Sequence, residues 1–100
     1  MPTAEEVTEA LKVVHDPEIG INIVDLGLIY EVEIGETGDA RILYTLTSAG
    51  CPAGAQIDGD IKQAVSDVEG IASVETEVTL QPPWGPEKMS ELARSALGFF

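Results

Sequence analysis

Two short stretches of the chain alternate with a strict period of two. In Tyr30-Glu31-Val32-Glu33-Ile34 and Val74-Glu75-Thr76-Glu77-Val78 every second residue is a glutamate, so each reads as a strand with one wet face and one covered face. A sheet built from such strands takes helices on one side only. Arg41 to Thr47 supplies another strand, with Ile42, Tyr44 and Leu46 on one face and Leu43, Thr45 and Thr47 on the other; Gly35 to Asp39 forms the hairpin loop before it. The strand holding Glu75 and Glu77 is expected to run from Ile71 to Leu80 and to stop at Pro82-Pro83.

Three apolar stripes at helical spacing provide the cover. Thr3-Ala4-Glu5-Glu6 has the form of a capping box, and Val7, Ala10, Leu11 and Val14 then share one face up to Pro17. Ile57, Ile61, Ala64, Val65 and Val68 make the second stripe, with Gly70 as its left-handed stop. Pro86 suits the first turn of a last helix carrying Met89, Leu92, Ala93, Ala96 and Leu97. Between the first helix and the first strand, Ile21, Ile23, Val24, Leu26, Leu28 and Ile29 form a dense apolar segment with one acid, Asp25, and one glycine, Gly27, which is expected to run through the core. The fold class is α+β: a small mixed or antiparallel three-stranded sheet covered by three helices. With 100 residues, 44% of them hydrophobic, it is expected to be a single domain over residues 1-100.

Charge narrows the partners. Five Lys and Arg against 18 Asp and Glu leave a net charge of −13, which repels nucleic-acid phosphates and anionic membrane surfaces. No run approaches the ~18 apolar residues of a spanning helix, and Glu5, Glu6 and Glu9 stand where a leader would be basic. A single cysteine, Cys51, makes no internal disulfide. The expected setting is cytoplasmic and reducing.

Three loops hold the candidate chemistry: Asp16-Pro17-Glu18, Thr47 to Pro52, and Pro82-Pro83-Trp84. Cys51 lies in a Gly-Cys-Pro turn just before a helix, where the helix dipole favours a thiolate, and Thr47 and Ser48 add hydroxyls. If the acidic turn meets that loop, Asp16 and Glu18 would oppose the thiolate unless a cation intervenes. Two carboxylates and a thiolate then form a partial shell for iron or zinc. The plainer alternatives are a small filler for Cys51, a turn former for Asp16, a solvated charge for Glu18, an internal cap for Asp25 and a helix-end residue for His15. Trp84 is either a lid on its own loop or a recognition surface, and Phe99 and Phe100 either fold back or meet a partner. A thiol hydrolase or transferase using His15 and Cys51 is a competing enzyme reading, but it has no residue to orient the histidine.

The ordered set Asp16-Pro17-Glu18, Asp25-Leu26-Gly27-Leu28-Ile29-Tyr30, Leu46-Thr47, Gly50-Cys51-Pro52, Pro82-Pro83-Trp84 and Met89-Ser90-Glu91 resembles the SufT and PaaD-like metal-sulfur cluster assembly family over nearly the whole chain. The resemblance implies an iron-sulfur cluster assembly domain-like fold and a maturation or trafficking factor, not an enzyme, that delivers cluster, iron or sulfur to client apo-proteins alongside the assembly machinery. It also implies a reactive Cys51 with Asp16, Glu18, Thr47 and Ser48 beside it, lined by Ile19. An iron-sulfur cluster or iron would be held transiently, with adventitious zinc possible. The other readings are a PaaD-like accessory protein for a multicomponent oxygenase and a pure interaction module using Trp84, Phe99 and Phe100. A cluster needs about four ligands and one chain offers one thiol, so a homodimer or hetero-complex is expected for the loaded form, with Trp84, Met89, Phe99 and Phe100 as apolar contact residues.

Overall fold

A computed structural model describes residues 2–47 and 53–98. Its elements are helix α1 (Ala4–Ala10) running into a 3-10 turn (Leu11–Val13), strands β1 (Ile29–Ile34) and β2 (Asp39–Tyr44), helix α2 (Gly54–Ser66), strand β3 (Ser73–Val78), a 3-10 turn (Pro86–Lys88) and helix α3 (Glu91–Leu97). The sheet order is β1-β2-β3, antiparallel between β1 and β2 and parallel between β2 and β3. The expected α+β class holds, and the sheet is the mixed variant.

Each stripe lands where its period sends it. Thr3 Oγ1 accepts the Glu6 N–H at 3.1 Å and starts α1, which buries Val7 and, in the next turn, Leu11. Ile57, Ile61 and Val65 of α2 are fully buried over the sheet face that carries Ile42 and Tyr44. Each such burial contributes about 1.5–3 kcal/mol. On the opposite face Glu31, Glu33, Glu75 and Glu77 are exposed, and Arg41 sits between Glu33 (4.0 Å) and Glu75 (3.7 Å). These exposed pairs add little to stability.

Three expectations need correction. β2 ends at Tyr44 instead of Thr47, because neither neighbour continues the ladder. The Thr79 N–H makes the last bond from the β3 side, to Tyr44 O, and on the other side Leu28 offers only its carbonyl, its N–H being used by Ile23 O. β3 is likewise shorter than Ile71 to Leu80. The last helix does not start at Pro86: the chain makes one 3-10 turn, breaks, and restarts at Ser90, whose hydroxyl caps Ala93 N–H at 3.2 Å and whose own N–H is held by Asp25 O at 2.7 Å. The break buries Met89, removing it from the exposed contact residues, and leaves Leu92 72% exposed. Phe99 and Phe100 lie outside the described residues.

Helix α2 is fixed to the sheet by a polar cluster as well as by its stripe. Asp58 Oδ1 accepts from Tyr44 Oη and Thr76 Oγ1, both at 2.7 Å, and its other oxygen pairs with Lys62 Nζ at 3.1 Å. Burial works against ionising Asp58, but the bonds from Thr76, Tyr44 and Lys62 outweigh it and hold the carboxyl below its ordinary range. Burial and then Asp58 itself push the Tyr44 phenol up. A depressed carboxylate stabilises the fold above its unfolded value and loses that contribution as the pH falls through the folded one. Urea denaturation between about pH 6 and 3 should show native protein losing stability below about pH 4, with a shallower loss in Asp58→Asn.

Candidate functional site

Strand direction decides which loops can meet. β2 and β3 are parallel, so Thr45 and Thr79 leave the sheet at one end; β1 is antiparallel, so Leu28 enters it there. Three loops thus converge on that end: the Val14 to Leu28 segment, the segment after Tyr44, and the Thr79 to Lys88 segment. The first two are joined by a backbone relay in which Thr45 N–H donates to Leu28 O (2.8 Å), Leu28 N–H to Ile23 O (3.0 Å) and Ile23 N–H to Val14 O (2.9 Å). Ile23, Leu26 and Leu28 are fully buried, as expected for this apolar segment.

Asp16 opens the tight turn on this relay. Its carbonyl accepts from Gly20 N–H at 2.7 Å and Ile19 N–H at 3.2 Å, its N–H donates to Ile21 O at 3.0 Å, and Oδ1 accepts from Glu18 N–H at 2.9 Å. The turn-former reading is therefore correct as far as it goes, but Asp16 is also only 1% exposed. A carboxylate there is costly unless something nearby favours its charge. Glu18 is exposed, and Ile19 packs half-buried against the core. His15 is exposed and lies across from Asn22, its Nδ1 3.0 Å from Val13 O.

The next turn is locked by an amide and an acid three residues apart. Asn22 Oδ1 accepts from Asp25 N–H (2.9 Å), and Asn22 Nδ2 donates to Asp25 Oδ2 (2.6 Å). That bond is the main reason the Asp25 carboxyl lies below its usual range; burial opposes it, and Ser90 and Lys12 help. Trp84 closes the same turn from outside, its indole N–H donating to Leu26 O at 2.7 Å while the ring packs half-buried against the core. A register shift between Ile29 and Glu31 turns Tyr30 the same way: its hydroxyl donates to Pro82 O (2.7 Å) and Lys88 Nζ lies 5.2 Å from its ring centre.

The alternation places Thr45 on the face opposite Ile42 and Tyr44 without saying whether that position is covered. Thr45 is fully buried, and Oγ1 has no hydrogen-bond partner among the described residues. Among the described residues Asp16 and Thr45 are the buried polar ones, and they lie on the two loops that the relay joins. Period-two spacing could not find Thr45, because its burial comes from what covers that end of the sheet. The Asn22-x-x-Asp25 spacing was a findable signal. Thr47 is half-buried, and Ser48 and Cys51 lie outside the described residues. Among the described residues no group of three or more His, Cys, Asp or Glu is arranged to hold a metal ion.

A sequence profile described as iron-sulfur cluster assembly protein matches residues 4–78. The chain belongs to the iron-sulfur cluster assembly protein family. It is 40% identical over 99 residues to an Fe-S protein maturation auxiliary factor of Porphyromonas gingivalis, spanning 99% of this chain and 94% of the relative. It is 42% identical over 83 residues to the Fe-S protein maturation auxiliary factor SufT of Staphylococcus aureus, spanning 83% of this chain and 94% of the relative. The crystal structure of a domain of unknown function from Bacillus anthracis superposes with a TM-score of 0.92 at 40% identity, covering 97% of this chain and 92% of that one. The resemblance to SufT-like proteins and the assembly-domain fold are both borne out. No helix among the described residues is long and apolar enough to cross a membrane.

Two glycines of these turns separate strain from collision. Gly20 (φ +81°) has nothing within 4 Å of an added Cβ, whereas at Gly27 (φ +80°) the added atom would overlap the Lys88 backbone carbonyl. Chemical denaturation should show Gly20→Ala costing about 1–2 kcal/mol, the left-handed penalty alone. Gly27→Ala should cost at least about 3 kcal/mol, because the Lys88 turn must also move.

Proposed function

We propose that this chain matures iron-sulfur proteins as a carrier: it takes up cluster, iron or sulfur transiently on Cys51 and passes it to client apo-proteins, with no turnover chemistry of its own. The observation that carries the reading is the pair of buried polar groups, the Asp16 carboxylate and the Thr45 hydroxyl that has no partner among the described residues, on two loops tied together at the sheet end from which the chain runs on to Cys51. Family membership and relatives matched along 94% of their own length favour the general maturation role over a dedicated oxygenase accessory. The Trp84 indole N–H is already engaged by Leu26 O, which weighs against the pure interaction module.

In this reading Asp16 has two separable jobs. Oδ1 holds the turn through Glu18 N–H, and the carboxylate charge supplies, with Glu18, the hard anionic side of a mixed thiolate and oxygen site. Asp16→Asn keeps an oxygen acceptor and removes the charge; Asp16→Ala removes both. Thermal and urea unfolding should place Asp16→Asn close to the native protein and Asp16→Ala about 1–2 kcal/mol below it. Anaerobic iron and sulfide loading should fall in both. Equal loading of Asp16→Asn and native protein would remove the carboxylate from the site.

One thiol per chain cannot enclose a cluster, so the loaded form is a dimer or a hetero-complex. The deciding experiment replaces the protein with Cys51→Ser or Cys51→Ala while a client iron-sulfur enzyme is matured. Client activity is expected to drop to that of the reaction lacking the factor, and anaerobic sedimentation of loaded native protein to show no lone subunit. Unchanged client activity in both variants would take Cys51 out of the mechanism.

A further inference from the structure

The outer edge of β3 is open. Among the described residues Ser73–Val78 pairs only with β2, so alternate backbone N–H and C=O groups of β3 face outward unpaired. Natural edges are usually covered or kept short; this one runs for six residues and is flanked on both faces by features suited to an added strand.

On the helix side, a shallow groove of about 370 Å³ runs beside the edge, between Gly59, Gln63 and Ser66 of α2 and Ile71 and Val74 below. Gly59 keeps it open: an added Cβ would meet nothing within 4 Å, and glycine inside a helix is otherwise unfavourable. The apolar surface continues past the groove, since Val78 and Leu80 are each 46% exposed. On the other face the edge carries Glu75 and Glu77, both exposed.

We propose that the β3 edge is a docking edge for an extended segment of a partner protein, in which apolar side chains alternate with arginine or lysine. A strand added about 4.8 Å from β3 places alternate side chains on opposite faces. One set enters the groove and the other lies beside Glu75 and Glu77. Charge fixes which set is basic, because the open face carries Glu31, Glu33, Glu75 and Glu77 against the cation Arg41, whereas the groove is lined mostly by uncharged residues. The same glutamates exclude a second copy of this chain, since antiparallel pairing of two β3 edges would set Glu75 and Glu77 against their own counterparts. β3 also ends at the loop end of the sheet, so the docked segment runs toward the loop that leads to Cys51. The proposal does not rest on the carrier reading.

The probe is a fluorescein-labelled, end-blocked peptide, Thr-Arg-Val-Arg-Val-Lys-Thr, titrated with the full chain at about 0.1 M salt. Two controls accompany it: the same residues reordered as Arg-Arg-Lys-Val-Val-Thr-Thr, and the alternating peptide with glutamate at its basic positions. The alternating basic peptide should bind, slow hydrogen exchange of alternate β3 amides, and weaken at least about tenfold in Glu75→Lys/Glu77→Lys and in Gly59→Leu. Gly59→Leu fills the groove with a better helix former at an open position, so it tests the site without endangering the fold. The reordered and acidic peptides should bind at least about tenfold more weakly. Equal binding of the reordered peptide would mean charge attraction alone and overturn strand addition. Native-like binding in both variants, or no binding of the alternating peptide, would overturn the docking edge itself.

Discussion

Leu28 holds the molecule together. It is fully buried, its N–H is given to Ile23 and its carbonyl takes the Thr45 N–H, so one residue links the buried loop after the first helix to the central strand. A buried backbone group left without its partner costs about 1–3 kcal/mol, and shifting this segment by one residue would orphan several at once. The loop therefore has one register. That register places Asp16 two residues beyond Val14 on the relay, and Leu26 where its carbonyl meets the Trp84 indole.

What the sequence makes legible follows from periodicity. Alternating glutamates identify the wet face of β1 and β3 because side-chain direction in a strand depends only on parity, and the stripe of α2 identifies Ile57, Ile61 and Val65 for the same kind of reason. The segment from Ile21 to Leu28 has apolar content but no period, so its burial is legible and its path is not. The path is set by particular pairs: Asn22 with Asp25, and Gly27 against the Lys88 carbonyl some sixty residues away. No local signal carries the second. The last helix fails in a related way. Its stripe is visible, but the break before it depends on Ser90 being held by Asp25, a contact between distant loops.

The candidate site divides along the same line. Asp16-Pro17 announces a turn through local backbone preference, whereas the expectation of chemistry at the Gly-Cys-Pro segment rests on residue type alone, that segment lying outside the described residues. The meeting of the Val14 to Leu28 segment with the chain just after Tyr44 is a property of strand direction, and a single sequence leaves mixed and antiparallel sheets open. The parallel pairing of β2 with β3 removes that ambiguity and brings the Trp84 loop to the same end. Trp84 is then explained by its hydrogen bond to Leu26 and its packing, which makes it a brace for the turn beside Asp16 more than an outward anchor.

The distribution of charge sets how copies of this chain can approach one another. Four cations have close partners within the chain: Lys12 with Glu9, Arg41 with Glu33 and Glu75, Lys62 with Asp58, and Lys88 over Tyr30. The acidic excess is thus left to face solvent, much of it on the open sheet. Two such sheet faces repel at short range even in physiological salt, where screening acts over about 8 Å. Any association between two copies must therefore avoid the open face, which leaves the loop end and the exposed leucines of α3, Leu92 and Leu97. A basic partner meets the reverse condition: the sheet face attracts it, and the direction of β3 leads it to the end where the loops converge. A second copy and a basic partner would then use different surfaces of the chain, and the same glutamates keep them apart.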